Sequence, residues 1–167
     1  MDDFENLTGN LMDIHGLQVS LKKEINRLLS GMHLTDDAGN EVQIHAFEQQ
    51  LPETYDDEDD PSQFFPYFIV QVFTGDTEDD EDPWHVTTVI QFGVKDKGKD
   101  RQGHVQILSM IQKVANRFLQ EALLDNQYRA SPKMKWEILD ENTYPFYFGA
   151  IEMKFSTPKM ERIDEFS

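Results

Sequence analysis

The nearest approach to a chemical motif is Gly98-Lys99-Asp100-Arg101-Gln102-Gly103-His104-Val105. Its glycines have the spacing of a phosphate-binding loop. Such a loop cradles phosphates on backbone amides, then needs Lys for the β and γ phosphates and Ser or Thr for magnesium. Those two places hold His104 and Val105, and Asp100 would repel phosphate. The segment reads instead as a strand-to-helix turn with Asp100 as N-cap. Two acidic segments, 53–60 and 76–82, invite a calcium reading. A helix-loop-helix calcium loop needs Gly at its sixth position and Glu at its twelfth. Counted from Asp56 those places are Pro61 and Tyr67; counted from Asp76 they are Glu81 and Thr87. His15, His33, His45, His85 and His104 include no pair at the i, i+4 spacing of a helical metal site. Cysteine is absent, which removes thiolate nucleophiles, zinc–thiolate sites and disulfides. None of the 32 acidic residues sits in a motif that marks a general acid or base. The chain is therefore expected to carry no catalytic residue, no cofactor and no metal.

The formal charge is −17, and its excess is local. Glu53, Asp56, Asp57, Glu58, Asp59, Asp60, Asp76, Glu78, Asp79, Asp80, Glu81 and Asp82 supply 12 of the 32 acids, with no Lys or Arg between them. The remaining 20 acids face 15 basic residues, a balance of −5. Blocks of like charge read as solvated loops. Nonspecific nucleic-acid binding needs Lys and Arg to displace counterions from phosphates, and anionic membranes need the same residues. The charge argues against both partners. No run reaches the roughly 18 apolar residues of a membrane span. The start, Met1-Asp2-Asp3-Phe4-Glu5, lacks the basic and apolar regions of a secretion signal. A soluble protein made in the cytosol is expected. Its 167 residues suit a single domain, 1–158, with acidic loops at 53–60 and 76–82 and a flexible tail at 159–167.

The elements that would position any site follow from periodicity. Leu7, Leu11, Ile14, Leu21, Ile25 and Leu28 recur at helical spacing and predict a helix over 5–29, with a bend possible at Gly16. A turn at 36–40 leads to a short strand over 42–47. Strands at 64–73, with Phe68, Val70 and Val72 on one side and Ile69, Gln71 and Phe73 on the other, and at 86–94, with Val86, Thr88, Ile90, Phe92 and Val94 pointing one way, pair as a hairpin whose tip is the second acidic loop. Pro66 cannot donate to a ladder, so pairing begins after it. A helix over 101–124 buries Val105, Leu108, Ile111, Ala115, Phe118 and Ala122, joined by Val114 and Leu119, and ends at Asp125-Asn126. Strands at 135–139 and 146–157, joined by a turn at 140–143, complete the pattern. The expected class is α+β: a mixed, mainly antiparallel sheet of about four to six strands, with a long helix packed on one face and an N-terminal helix. Trp136, Tyr144, Phe146, Tyr147 and Phe148 supply more aromatic surface than a small core needs. Trp136, Tyr144, Phe146 and Phe148 are the candidate interface residues, with core filling as the other use.

From 94 to 157 the chain resembles the tail-terminator and tail-completion proteins of long-tailed bacteriophages and prophages. The resemblance rests on the strand ending near Val94, Gln102-Gly103 opening a helix, and the stripe Ile107-Leu108-x-x-Ile111. It continues through the strand 135–139 and the run Tyr144-Pro145-x-x-x-Gly149 into Ile151-x-Met153-x-Phe155. The N-terminal helix and hairpin agree in order of elements only, and the long acidic insertions depart from the family pattern. The resemblance implies a structural protein without enzymatic activity or catalytic residues. It implies a ring, often a hexamer, at the head-proximal end of the tail. Its partners would be the tail-tube protein and head–tail connector proteins, in the bacterial host cytoplasm during assembly and then in the virion. Two alternatives stand beside it: another connector of the neck, or an acidic adaptor that presents carboxylates to a basic partner.

Overall fold

Helix α1, Ile14–Leu29, opens where the Asp13 carboxylate accepts a hydrogen bond from the Gly16 amide at 2.5 Å. That bond satisfies one of the N–H groups that every helix start leaves without a partner. The computed structural model describes residues 13–36, 38–53 and 61–159. The single helix expected over 5–29 is corrected at Asp13, whose extended backbone (ψ 175°) starts the helix at Ile14; residues 5–12 lie outside the described residues. Gly16 falls in the first turn, so it bends nothing. Leu17, Leu21, Ile25 and Leu29 repeat every four residues and are buried, while Leu28 of the expected face is only half-buried and Ile14 is exposed.

Among the described residues six strands form one mixed, mostly antiparallel sheet, and with two helices the class is α+β. The strands are β1 His45–Glu48, β2 Tyr67–Asp76, β3 Trp84–Lys95, β4 Leu123–Leu124, β5 Tyr128–Ile138 and β6 Phe146–Thr157. Their order is β1-β2-β3-β6-β5-β4; β1 and β2 run parallel and every other pair is antiparallel. The centre is the β3–β6 pair, in unbroken register from Trp84 opposite Thr157 to Lys95 opposite Phe146. Alternate residues of a strand face opposite sides of the sheet. Val86, Ile90, Phe92 and Val94 of β3 and Ile151, Met153 and Phe155 of β6 share one side and one core cluster with the buried leucines of α1. Thr88 lies on that side too, and its buried hydroxyl is satisfied by donating to the Met153 carbonyl at 2.9 Å.

Helix α2, His104–Gln120, is shorter than the expected 101–124 at both ends. Asp100 is not its cap. Arg101 adopts the left-handed conformation (φ 56°), and Gly103 takes the N-cap place without a side-chain bond. A side chain at Gly103 would run into the Tyr147 ring, so the entry to the helix must be bare. At the other end Glu121 turns extended, and the Arg117 guanidinium donates to the carbonyls of Glu121 at 2.6 Å and Leu123 at 2.9 Å. Asp125 and Asn126 both have φ 55°, and Gln127 N–H bonds to the Leu124 carbonyl at 3.1 Å. Those residues therefore make a tight hairpin turn between β4 and β5 rather than a helix stop. Two consecutive left-handed residues are what such a turn requires, and Asn and Asp tolerate them best.

The buried face of α2 also differs. Ile107, Met110, Ile111, Val114 and Phe118 are buried. Val105 and Leu119 are exposed, at 49% and 60%. Leu108, Ala115 and Ala122 are half-buried. Close approach fixes this rotation: a side chain on Gly149 of β6 would meet Ile107 and the Ile111 tip, so those two residues sit directly over bare backbone.

Four strand bounds are corrected as well. β1 begins at His45, not residue 42. β2 continues to Asp76, with its register shifting between Val72 and Thr74. β3 starts at Trp84, so the acidic tip is confined to 77–83. β5 begins at Tyr128, seven residues before the expected 135, and its register on β6 shifts between Ala130 and Met134, around Pro132. The 3₁₀ turn Pro61–Phe64 precedes β2, and pairing starts after Pro66 as its missing N–H requires. The tail residues 160–167 lie outside the described residues.

Candidate interaction surface

The four aromatic candidates are not brought together. Phe146 and Phe148 sit opposite Lys95 and Gly93, on the side of the sheet away from the main core. There Phe65 stacks 4.9 Å from Phe146 and 5.9 Å from Phe148, and 4.9 Å from Tyr67. With Ile69 they make a second, smaller apolar cluster on which Phe47 and Phe64 also pack. Trp136 sits opposite Ile151, on the core side, yet is 55% exposed. Tyr144 lies in the loop before β6. Its hydroxyl donates to the Lys97 carbonyl at 2.7 Å, and the Arg101 guanidinium lies 5.0 Å from the ring centre. The pairing register separates Trp136 from the phenylalanines. Beside Phe148 the open side carries a shallow depression of about 440 Å³ lined by Val89, Gln91, Glu137, Leu139 and Ala150.

Of the acidic residues, Glu53 is exposed. Asp56, Asp57, Glu58, Asp59 and Asp60 lie outside the described residues. The hairpin tip is ordered by its own carboxylates. Asp79 Oδ1 accepts from the amides of Glu81 at 2.9 Å and Asp82 at 2.8 Å. Asp82 accepts from the Glu78 amide at 3.0 Å and pairs with His85 Nε2 at 2.8 Å. Those two contacts, the amide first, hold the Asp82 carboxyl below the ordinary carboxylate range. Lys159 donates to Thr77 Oγ1 at 2.7 Å and to the Asp79 carbonyl, with its ammonium 5.9 Å from the Trp84 ring centre. Glu78, Asp79, Asp80 and Glu81 remain exposed.

His85 brings a hydroxyl into the same cluster, with Ser156 Oγ 3.5 Å from Nδ1. The order Ser156, His85, Asp82 is that of a hydrolytic triad. The distance is at the outer limit of a hydrogen bond. Ser156 sits in mid-strand, paired with His85 on one side and Arg129 on the other, so neighbouring amides point into the ladders. An acyl-transfer centre needs amides aimed at a developing oxyanion, and nothing here supplies them. Among the described residues no three His, Asp or Glu side chains are grouped so as to hold a metal ion.

Ion pairs and one side-chain device fasten the helices and the sheet edge. Glu24 of α1 pairs with Arg27 at 2.5 Å and with Arg117 of α2 at 2.7 Å. The Arg27 bond above all, then Arg117, holds its carboxyl below the ordinary range against the opposing effect of burial. Glu48 of β1 pairs with Lys22 at 2.6 Å and His15 at 3.1 Å, with the same consequence, led by Lys22. Burial pushes the Tyr128 phenol up to about 12, while its hydroxyl donates to the Asp13 carbonyl at 3.2 Å. The Gln49 side chain acts as one more residue of strand: its oxygen accepts from Val72 N–H at 2.9 Å and its nitrogen donates to the Val72 carbonyl at 3.1 Å. Gln18 supports it, donating to Gln49 Oε1 at 2.7 Å and to the Val70 carbonyl at 2.9 Å. Nothing in the sequence pattern marks Gln49 for this role. Phe73, expected on the same side of its strand as Ile69, falls at the shift in β2 and is 71% exposed.

No family model matches the chain, and no curated protein matches it. Among the described residues no helix is long and apolar enough to cross a membrane.

Proposed function

We propose that the chain is a structural subunit that caps the head-proximal end of a phage tail tube as a closed ring, often a hexamer in the resembling family, and helps join tail to head. One observation carries the reading: the ordered unit from β3 through α2, β5 and β6, which holds the residues of the resemblance in consecutive, paired elements. In this reading both helices lie on one face of the sheet, and the other, with Phe146, Phe148 and the depression beside them, faces a neighbour or the tube protein. No reaction, cofactor or bound nucleic acid is part of the role. Its partners are the tail-tube protein and the connector proteins of the neck, met in the host cytoplasm and retained in the virion. The acidic segments line the DNA path, where a negative wall gives phosphates nothing to hold, or stand on the outer rim.

The test is tail length in a phage deleted for this protein. The reading expects overlong tails of variable length; tails of normal, uniform length would sink it. A second reading, an acidic adaptor for a basic partner, is favoured by the hairpin tip, whose exposed carboxylates are held in place by internal bonds. An adaptor would remain monomeric while binding its partner, whereas a terminator closes rings.

A further inference from the structure

The six-stranded sheet ends in two unequal edges, and both stay open over part of their length. On one side β4 covers β5 at Tyr128 and Arg129, and the Ala130 amide donates to the Ala122 carbonyl at 2.8 Å. Among the described residues nothing pairs with β5 from Ser131 to Ile138 on the side away from β6. This stretch carries Lys133 and Lys135, both exposed and without an ion-pair partner among the described residues, and the half-exposed Trp136. On the other side β1 covers β2 as far as Val70, and Gln49 caps Val72. From Phe73 to Asp76 the outer edge of β2 has no partner among the described residues. That stretch leads into the acidic tip: with Asp76, residues 76–82 hold six acids and no base.

We infer that the open edge of β5 receives the open edge of β2 from a second copy of this chain, so that the sheet continues from subunit to subunit. Within the chain β2 and β5 run in opposite directions, being joined through three antiparallel pairings. Copies that continue the sheet with the same face outward therefore join these edges antiparallel, and charge selects the register that sets an acid beside a lysine. Placing Asp76 beside Lys133 then puts Gly75 beside Met134, Thr74 beside Lys135 and Phe73 beside Trp136. This register is consistent with the faces. Thr74 and Lys135 both lie on the open side, since they oppose Thr87 and Glu152. Gly75 and Met134 both lie on the core side, since they oppose Val86 and Met153. A shift by one residue would set every side chain against the wrong face. Four such pairs span about 13 Å, enough for a short added strand. Lys, Pro and short length are the usual guards of an edge. Here Pro132 guards only the distorted end of β5 and leaves 133–138 straight. A contact between two different edges is head-to-tail and closes as a ring when its rotation permits.

This contact does not depend on the tail reading, since copies would join this way whatever the assembly serves. It assigns the tip an opposite charge to meet, where like tips brought together would repel.

The absence of native cysteine makes the test direct. Full-length Thr74→Cys and Lys135→Cys proteins are mixed and oxidised, with Thr74→Cys plus Lys113→Cys on α2 as the collision control. Mixed dimers of the first pair should form in clear excess over the control and over either protein alone. Equal yields would overturn the inference. In parallel, sedimentation is measured over a concentration series. Lys133→Glu/Lys135→Glu should weaken self-association about tenfold, as expected when like charges replace complementary ones. Adding Asp76→Lys/Glu78→Lys to the same chain should restore it. Unchanged association in the first variant, no recovery in the second, or a monomeric parent throughout would each overturn it. Rings seen on tube ends with no Thr74–Lys135 cross-link would remove this contact and leave the tail reading standing.

Discussion

The packing of α2 on β6 at Gly149 can be tested by a mutant cycle. Ile107 is fully buried, and a methyl on Gly149 would meet its side chain while the Glu137 carbonyl closes the other side. Gly149→Ala alone overpacks this contact and should cost about 1–3 kcal/mol. Ile107→Ala alone removes an aliphatic side chain from the core. Such truncations cost about 2–5 kcal/mol, toward the upper end where the walls cannot collapse. One wall here is strand backbone fixed by ladders to β3 and β5, so the upper half is expected. In the double variant the alanine methyl at 149 occupies part of the space vacated at 107. The double loss should therefore fall short of the sum by about 1–3 kcal/mol, within the range for residues in contact. For a domain of this length each kcal/mol moves Tm by about 2–4 °C, so urea or thermal melts resolve the difference. Losses that add within about 0.5 kcal/mol would show that the two positions do not touch.

Other outcomes follow from the same contacts. Leu119→Ala, at an exposed position of α2, should change stability by no more than about 0.5 kcal/mol, whereas Ile111→Asp should be severely destabilising because it buries an unpaired charge. Chemical denaturation of the two variants checks both. Glu24 and Glu48 have folded-state acidities shifted down. Their stabilisation is complete above the ordinary value of 4.5 and is lost as pH falls through the lower folded values. Glu24→Gln should lower stability at pH 7 and flatten its decline in acid, which denaturation at a series of pH values measures. Gln49→Ala should speed amide exchange at Val72 while leaving the β3–β6 ladder protected. Equal protection at Val72 would show that Gln49 caps nothing.

Where local pattern alone decides an element, the sequence was readable. β6 has its predicted bounds because Pro145 and Pro158 flank an aromatic-rich run that passes into the alternation Ile151-Glu152-Met153-Lys154-Phe155. The parts that failed depend on partners. Apolar residues of α2 occupy two overlapping stripes, and only the bare backbone at Gly149 selects the one with Ile107. The first half of β5 alternates, but Pro132 inside it reads as a strand breaker until the register shift between Ala130 and Met134 is seen to absorb it. Asp125-Asn126 ends a helix or turns a hairpin equally well until β4 and β5 are seen to pair. For the candidate surface, the acidic tip was legible as a charged loop. Its internal bonds were not, because they depend on backbone turns that bring amides to Asp79 and Asp82. Trp136 looked like a companion of Phe146 and Phe148, but its side of the sheet is set by pairing with Ile151.

The central claim, a ring that caps one end of a tail tube, is tested most directly by electron microscopy. Tubes assembled from the tail-tube protein of the same genome are imaged with and without this protein. The claim predicts a single ring at one end of each tube and an arrest of further growth. Bare ends, rings at both ends or along the shaft, or tubes that lengthen as they do without the protein would contradict it.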